Sequence, residues 1–166
     1  VNKLDNGNWS VGVHIAAPAL GIEPGSKLDQ LVMHRLSTVY FPGNKITMLP
    51  QQAVEGFTLQ EGRSCPAVSM YIELTPALEV VATQSRIESV FIAANLRNEQ
   101  LEKQFNEESL AAGTDGDYAF KSELRLLFDF AQKLEAGRGK SDPNRPPQVD
   151  FSFQVENDRI NISKRK

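Results

Sequence analysis

The chain has 166 residues, of which 40% are hydrophobic and 23% charged, and its formal net charge is −3. This composition is that of an ordinary folded domain, and it excludes a disordered tail, a collagen-like chain and a low-complexity linker. No stretch approaches the roughly 20 apolar residues that span a bilayer. A single cysteine, Cys65, cannot form an internal disulfide, and with no secretory leader in view we expect a reducing compartment such as the cytoplasm.

The first predicted element is a β-hairpin. Asn6-Gly7 is a strong hairpin signal, and apolar and polar residues alternate from Trp9 to Ala16 as they do in a half-buried strand. Only Val1 to Leu4 precede the turn, which is short for a strand. We therefore expect that the chain begins inside an element and is a fragment of a larger protein.

A helix is predicted next. Ser26 is a favourable N-cap residue, and Asp29 stands at the capping-box position three residues later. The helix should end before Tyr40, because residues 41–44 read Phe-Pro-Gly-Asn, which is typical of a turn. Tyr40 is thus expected at a helix-to-turn junction.

The remaining chain alternates strands and helices. Alternation predicts a strand over 67–74, and residues 78–92, apolar in their first half, are predicted to form a second long strand antiparallel to it. Alternation also predicts a closing hairpin around a turn at 156–159. Helices are predicted over 94–110 and, from an N-cap at Asp117, along a stripe of apolar residues consisting of Phe120, Leu124, Leu127, Phe128, Ala131 and Leu134. The fold class is α/β in the broad sense (α+β), a mixed, largely antiparallel sheet packed with helices.

Motifs that could carry chemistry are weak. Gly137 to Ser141 resembles part of a phosphate-binding loop but lacks its first glycine and its preceding strand, so we reject that interpretation. His14 and His34 are 20 residues apart with no ligand-spaced partner, which argues against zinc. A hydrogen-bonded structural role is favoured for His14. No cluster of aspartates suited to magnesium is present.

Two features are compatible with nucleic-acid binding. Tyr40 could stack on a nucleic-acid base, although its local sequence favours a core or hinge aromatic. The last segment holds the basic excess of the chain, which is either a solvated tail or a surface facing a polyanion; its basic residues are Arg138, Lys140, Arg145, Arg159, Lys164, Arg165 and Lys166.

A resemblance to a known family adds to these interpretations. The residues on which the resemblance rests are Gly12-Val13-His14-Ile15-Ala16, Pro24-Gly25-Ser26-Lys27-Leu28-Asp29, Arg35, the run from Thr38 to Ile46, and Met48-Leu49-Pro50. In order and spacing they resemble the catalytic domain of the ribonuclease II family, the RNB exoribonucleases. The match is strong in the first third and looser afterwards, so residues 1–166 are expected to be the central part of a single RNB-like domain, incomplete at both ends.

The resemblance implies a function and a site. The family cleaves single-stranded RNA processively from the 3′ end and releases nucleoside 5′-monophosphates by Mg²⁺-assisted hydrolysis. Its metal-binding aspartates would lie upstream of Val1, so no catalytic or metal residue is expected in this chain. Tyr40 matches the tyrosine that packs against the 3′-terminal nucleotide, and His14 and Arg35 are expected as supporting residues. Single-stranded RNA is the expected partner, with no DNA and no membrane.

One residue departs from the family pattern, and it motivates an alternative. The family usually has an aspartate where this chain has Ala17. If that aspartate supports the metal cluster, its loss would weaken metal binding. The alternative is therefore a catalytically degenerate RNB-like domain that binds RNA or protein without cutting. A third interpretation, suggested by the net charge, is a fold-only interaction module.

Overall fold

The computed structural model describes residues 1–97, 101–102, 104–113, 116–138, 150–157 and 159–165. The strands in these ranges are β1 (Asn2–Lys3), β2 (Trp9–Ala16), β3 (Val39–Phe41), β4 (Asn44–Ile46), β5 (Ser64–Leu74), β6 (Val80–Phe91), β7 (Asp150–Glu156) and β8 (Arg159–Arg165). The helices are a short 3₁₀ helix (Pro18–Gly21), α1 (Lys27–Arg35), α2 (Gln51–Phe57), α3 (Glu107–Ala112) and α4 (Lys121–Gly137). Every pairing between these strands is antiparallel, which confirms the expected fold class.

The chain divides into two compact units. The first unit comprises Val1–Ala16 and Leu59–Lys140, and the second comprises Ala17–Thr58 and Ser141–Lys166. The first contains a four-stranded sheet in the order β1-β2-β5-β6, and the second contains the two-stranded hairpins β3-β4 and β7-β8.

The core of the first unit lies where α4 packs on the sheet. Val11 and Leu74 come from neighbouring strands, and Phe130 of α4 packs against them; all three are at most 6% exposed. The partly buried residues around them are Trp9, Ile72, Leu78 and Leu126. Farther along the same sheet face Val13 and Val68 are 43% and 44% exposed, so α4 covers only one end of it.

The first hairpin is confirmed, but its loop is longer than the two residues that Asn-Gly favours. The amide of Leu4 donates to the carbonyl of Asn8, and the amide of Gly7 donates to the carbonyl of Leu4. Within this loop, only Gly7 has a positive φ, at 84°. This is a three-residue loop, a turn followed by a left-handed glycine.

The first helix is capped as predicted. The Ser26 side chain accepts a hydrogen bond from the amide of Asp29 at 3.2 Å. The Asp29 carboxylate reaches back to the amide of Gly25 at 2.8 Å, one residue earlier than in a standard capping box. The Ser26 bond satisfies the Asp29 amide, which the helix would leave unpaired, and the Asp29 bond holds the chain just before the N-cap; together they explain why α1 begins here.

The prediction of one continuous helix over 94–110 was wrong in its extent. Residues 92–97 are not helical, Leu101 lies in a helical turn, and a separate helix that includes Leu110 begins at Glu107. Asn106 and Ser109 form a reciprocal cap there. Local capping set the start of α3, whereas the apolar spacing of 94–110 was too weak to define a face.

The predicted start and buried stripe of the next helix were also wrong. Helix α4 begins at Lys121 after Phe120, whose φ is 61°, so Asp117 is not its N-cap. Phe130 is the buried residue, with Leu126 one turn before it, whereas Leu127 and Leu134 are 36% and 48% exposed. Both faces carry apolar residues, and contact with the sheet decides which one is buried. Residues 139–149, which hold most of the rejected phosphate-loop motif, lie outside the described residues.

Candidate functional site

Tyr40 lies on a strand, which corrects the expected helix-to-turn junction. It is the central residue of β3, which pairs with β4 through Val39↔Ile46, Tyr40↔Lys45 and Phe41↔Asn44. Pro42 and Gly43 form the two-residue turn between them, and Gly43 has a φ of 79°. That φ is costly for other residues, and proline before glycine is typical of a type II turn.

The hairpin displays Tyr40 to solvent. Its side chain is 75% exposed in this chain, so Tyr40 does not contribute to the packing of the second unit. Residues that pair directly in an antiparallel ladder share a sheet face, so the side chains of Tyr40 and Lys45 project from the same face of the hairpin. An exposed aromatic ring beside a cation is a combination that binds single-stranded nucleic acid, because the ring stacks on a base and the cation attracts phosphate.

Two side-chain hydrogen bonds hold together the base of this hairpin, the end opposite its turn. Arg35, the last residue of α1, donates from Nη1 to the carbonyl oxygen of Thr47 at 3.0 Å. The amide of Met48 donates to Oγ1 of Thr38 at 3.1 Å. Thr38 directly precedes β3 and Thr47 directly follows β4, so both bonds hold the hairpin at its base.

His14 lies in the first unit, within a polar network on the sheet. Its Nδ1 is 2.8 Å from Oγ of Ser69, whose side chain is fully buried. Its ring meets that of Tyr71 edge-on, with centroids 5.6 Å apart. A Cβ added at Gly12 would lie 2.6 Å from Nε2 of His14, so glycine at this position makes room for the imidazole.

The network continues across β5 and β6 through charged groups. The Tyr71 hydroxyl donates to Oε1 of Glu88 at 2.6 Å, and Arg86 pairs with Oε2 of Glu88 at 2.8 Å. The guanidinium carbon of Arg86 lies 4.4 Å from the centroid of the Tyr71 ring. The hydrogen bonds from Tyr71 and then Ser69 hold the pKa of Glu88 below its ordinary value. The same bonds occupy the polar atoms of the network, which is the arrangement expected of a structural cluster.

A second carboxylate fastens the first hairpin to the sheet. Oε1 of Glu73 accepts hydrogen bonds from the side chains of Asn8 at 2.7 Å and Asn6 at 3.0 Å. These two bonds, that of Asn8 first, lower the pKa of Glu73. The antiparallel pairing of β5 with β6 confirms the prediction from the sequence, whereas the side-chain contacts of Ser69, Tyr71 and Glu73 were not predicted.

The described residues do not fit a catalytic metal site. No group of three or more histidine, cysteine, aspartate or glutamate side chains in those ranges is placed to hold a metal ion. Cys65 is buried. Of the residues singled out from the sequence, Tyr40 and Arg35 belong to the second unit and His14 to the first. Within the described ranges, none of the helices has the length and apolar character required to cross a membrane.

The fold is an antiparallel α+β arrangement, and the aromatic side chain of Tyr40 is exposed on a hairpin whose base is held by two hydrogen bonds. The family model described as "RNB domain" matches residues 1–166. The chain belongs to the RNB domain family, which confirms the resemblance inferred from its motifs.

Among curated relatives, the chain is similar to Exoribonuclease 2 of Vibrio vulnificus (strain YJ016), with 28% identity over 167 residues that cover 94% of this chain and 24% of the relative. It is 39% identical over 75 residues to Ribonuclease R of Thermotoga maritima, covering 45% of this chain and 11% of the relative. Against chloroplastic/mitochondrial Ribonuclease II of Arabidopsis thaliana, identity is 36% over 73 residues, and the match covers 43% of this chain and 9% of the relative. The chain therefore spans a quarter or less of the length of these relatives.

Solved structures share the fold. Mycoplasma genitalium RNase R in complex with double-stranded RNA matches with a TM-score of 0.70 and 17% identity, over 93% of this chain and 28% of that one. Yeast Ssd1, described as a pseudonuclease, matches with a TM-score of 0.68 and 23% identity, over 81% of this chain and 15% of that one. At these identities the likeness concerns the fold alone.

Proposed function

We propose that the protein containing this chain is a hydrolytic exoribonuclease that degrades single-stranded RNA processively from its 3′ end to nucleoside 5′-monophosphates. The observation that carries the proposal is the RNB domain match over residues 1–166. Relatives with nuclease names, such as Exoribonuclease 2 and Ribonuclease R, support it. Residues 1–166 would be the central part of one catalytic domain, in a cytoplasmic protein.

The contribution of this chain to the reaction is to position RNA. Tyr40 would pack against the 3′-terminal nucleotide, since its ring is exposed and a nucleobase can stack on it without sequence preference. Lys45, on the same face of the hairpin, would neutralise a backbone phosphate. Hydrogen bonds to the ribose 2′-hydroxyl would distinguish RNA from DNA. His14 would support the sheet through Ser69 and Tyr71, and no proton transfer is assigned to it.

Magnesium is the proposed cofactor, and it would supply the activation of the attacking water. The described side chains do not form a set of oxygen ligands for it, so its ligands are expected upstream of Val1. The chain alone should then be inactive, and activity belongs to the full-length protein.

The test uses the full-length protein and a 5′-labelled single-stranded RNA. With Mg²⁺ present, we expect nucleoside 5′-monophosphates and a short labelled limit product, and with EDTA we expect intact RNA. A single-stranded DNA of the same sequence should remain uncut. Intact RNA in the presence of Mg²⁺ would overturn the proposal.

A second candidate is an RNB-like domain that binds RNA without cutting it. Ala17 favours this candidate, because the position is 6% exposed and holds a methyl group where the family usually has a carboxylate. The fold shared with the pseudonuclease Ssd1 supports it as well. It predicts salt-sensitive RNA binding with no turnover. RNA turnover that disappears when the upstream aspartates are replaced would exclude it.

A further inference from the structure

The junction between α1 and β3 is backbone under strain. The carbonyl of Arg35 accepts a hydrogen bond from the amide of Ser37 at 2.7 Å, which closes a three-residue turn around Leu36. Leu36 has φ 61° and ψ −36°. A γ-turn with a positive φ at its centre is rare and strained for a residue with a side chain. Such a conformation persists where surrounding contacts determine it more strongly than the local preference does.

Burial of apolar side chains does not stabilise the strained backbone at Leu36. Leu36 is 74% exposed, and none of the residues of α1 is buried. A hydrogen bond from Arg35 to the carbonyl of Thr47 connects the end of α1 to the residue that follows the hairpin. A guanidinium group is planar and always charged, so it donates a stronger hydrogen bond than a neutral side chain does.

The β3-β4 hairpin needs a stabilising contact such as the bond from Arg35 to Thr47. Its two strands have three residues each, a two-stranded hairpin by itself is at best marginally stable, and its turn, at Gly43, lies against a neighbouring side chain, that of Val155 of β7. The Pro42-Gly43 turn closes one end. At the other end, Arg35 holds the residue after β4 and Thr38 bonds to Met48. Tyr40 is central in β3, so the direction of its ring follows the orientation of the hairpin.

We infer that Arg35 is a positioning residue for Tyr40, and that its bond to the Thr47 carbonyl fixes where the 3′-terminal nucleotide stacks and hence the length of the limit product. The inference rests on the proposed function and deepens it, because it assigns the geometry of the nucleotide contact to a residue that does not touch RNA. The Arg35 charge acts here through the hairpin and not on a phosphate.

The experiment compares four variants of the full-length protein: Arg35→Ala, Arg35→Lys, Tyr40→Ala and, as a control, Lys27→Ala. Lys27 is exposed at the opposite end of α1, so its replacement removes the same charge from the same helix. Arg35→Ala should lengthen the limit product toward that of Tyr40→Ala. It should raise KM for short oligonucleotides about tenfold, the factor expected from losing one charge-assisted hydrogen bond, and leave kcat on long RNA within about twofold.

Arg35→Lys should rescue part of this effect, because an ammonium group keeps the charge and one donor but not the planar fork. Lys27→Ala should behave as wild type. A wild-type limit product for Arg35→Ala, when Tyr40→Ala changes it, would overturn the inference and leave the proposed function standing. Equal effects of Arg35→Ala and Lys27→Ala would overturn it too, because bulk charge would then explain the loss.

A structural readout separates this inference from the proposed function. Hydrogen exchange of residues 39–46 in the full-length protein should become about tenfold faster in Arg35→Ala, because the hairpin opens locally more often. Exchange in β2 and β5 should stay at the wild-type rate, which also checks that the variant folds. Unchanged exchange in the hairpin would overturn the inference. If wild type fails to degrade RNA, the proposed function falls, and the exchange result alone decides whether Arg35 holds the hairpin.

Discussion

The four-stranded sheet and the Tyr40 hairpin hold their side chains by different physical means. In the sheet, the 11 residues of β5 pair with β6, those from Ala67 to Leu74 also pair with β2, and apolar burial beneath α4 adds to the ladder. The hairpin has three residue pairs, an exposed aromatic and two side-chain bonds at its base. The comparison indicates that different parts of this chain provide stability and expose the aromatic side chain of Tyr40. Replacements in the sheet should alter the free energy of unfolding, and replacements in the hairpin should alter the nucleotide contact.

The largest expected effect on stability is at the core of the sheet. Phe130→Ala should lower the free energy of unfolding by about 3–5 kcal/mol, because it removes a buried ring that packs against Val11 and Leu74 and leaves a cavity. Phe91→Ala is the matched control, since Phe91 is 63% exposed on β6. It should cost less than about 1 kcal/mol. Urea unfolding monitored by circular dichroism measures both, and equal losses would contradict the proposed core.

Next in size is the polar network on the sheet. Ser69→Ala should cost about 1–3 kcal/mol, because Nδ1 of the half-buried His14 then loses its partner, the buried Ser69 hydroxyl. Ser85→Ala, at an exposed position of β6, should be neutral. Urea midpoints compare the two variants. If both serine replacements gave the same small change, the network would contribute nothing measurable to folding.

A gain in stability is expected at the strained turn before the hairpin. Leu36→Gly should raise the free energy of unfolding by about 1 kcal/mol, because glycine adopts a positive φ readily and little buried surface is lost. Leu36→Ala removes the same apolar surface but keeps the strain, so it should show no such gain. Thermal unfolding tests the pair, and a loss of stability in Leu36→Gly would mean that the leucine side chain packs in solution.

Acid should weaken the sheet through Glu88. Its pKa is lowered in the folded protein, mainly by the hydrogen bond from Tyr71, so its contribution is present above its ordinary pKa of 4.5 and is lost as the pH falls through the lower, folded value. Glu88→Gln and Tyr71→Phe should both flatten the decline in stability below that pH. Urea titrations from pH 7 to acid (about pH 3) measure the slope. An unchanged slope in both variants would contradict this linkage.

Sequence patterns predicted the sheet better than the helices, for a physical reason. Alternation in β2 and β5 relates residues that are two positions apart, so it can be recognised directly in the sequence. The buried side of α4 depends on which face meets Val11 and Leu74, and Leu126 and Phe130 lie on a face that the predicted stripe did not include.

The site was predictable only in part. Tyr40 came from a family resemblance, because its local sequence favoured a core or hinge role. Its surroundings could not be read from the sequence: the bond from Arg35 spans 12 residues and ends on the backbone of Thr47, and a backbone acceptor leaves no residue-type signal. The exposure of Tyr40 follows from the pairing of β3 with β4, which a turn motif alone does not specify.

Among these variants, Tyr40→Ala should change stability least and should change the length of the limit product most clearly. Tyr40→Ala in the full-length protein should leave the free energy of unfolding within about 0.5 kcal/mol of wild type, because the side chain is 75% exposed. The deciding measurement is the length of the labelled limit product from a 5′-labelled single-stranded RNA with Mg²⁺. We predict a longer limit product for Tyr40→Ala than for wild type, with Tyr40→Phe close to wild type because it keeps the stacking ring. A wild-type limit product from Tyr40→Ala would contradict the account that this hairpin positions the RNA 3′ end.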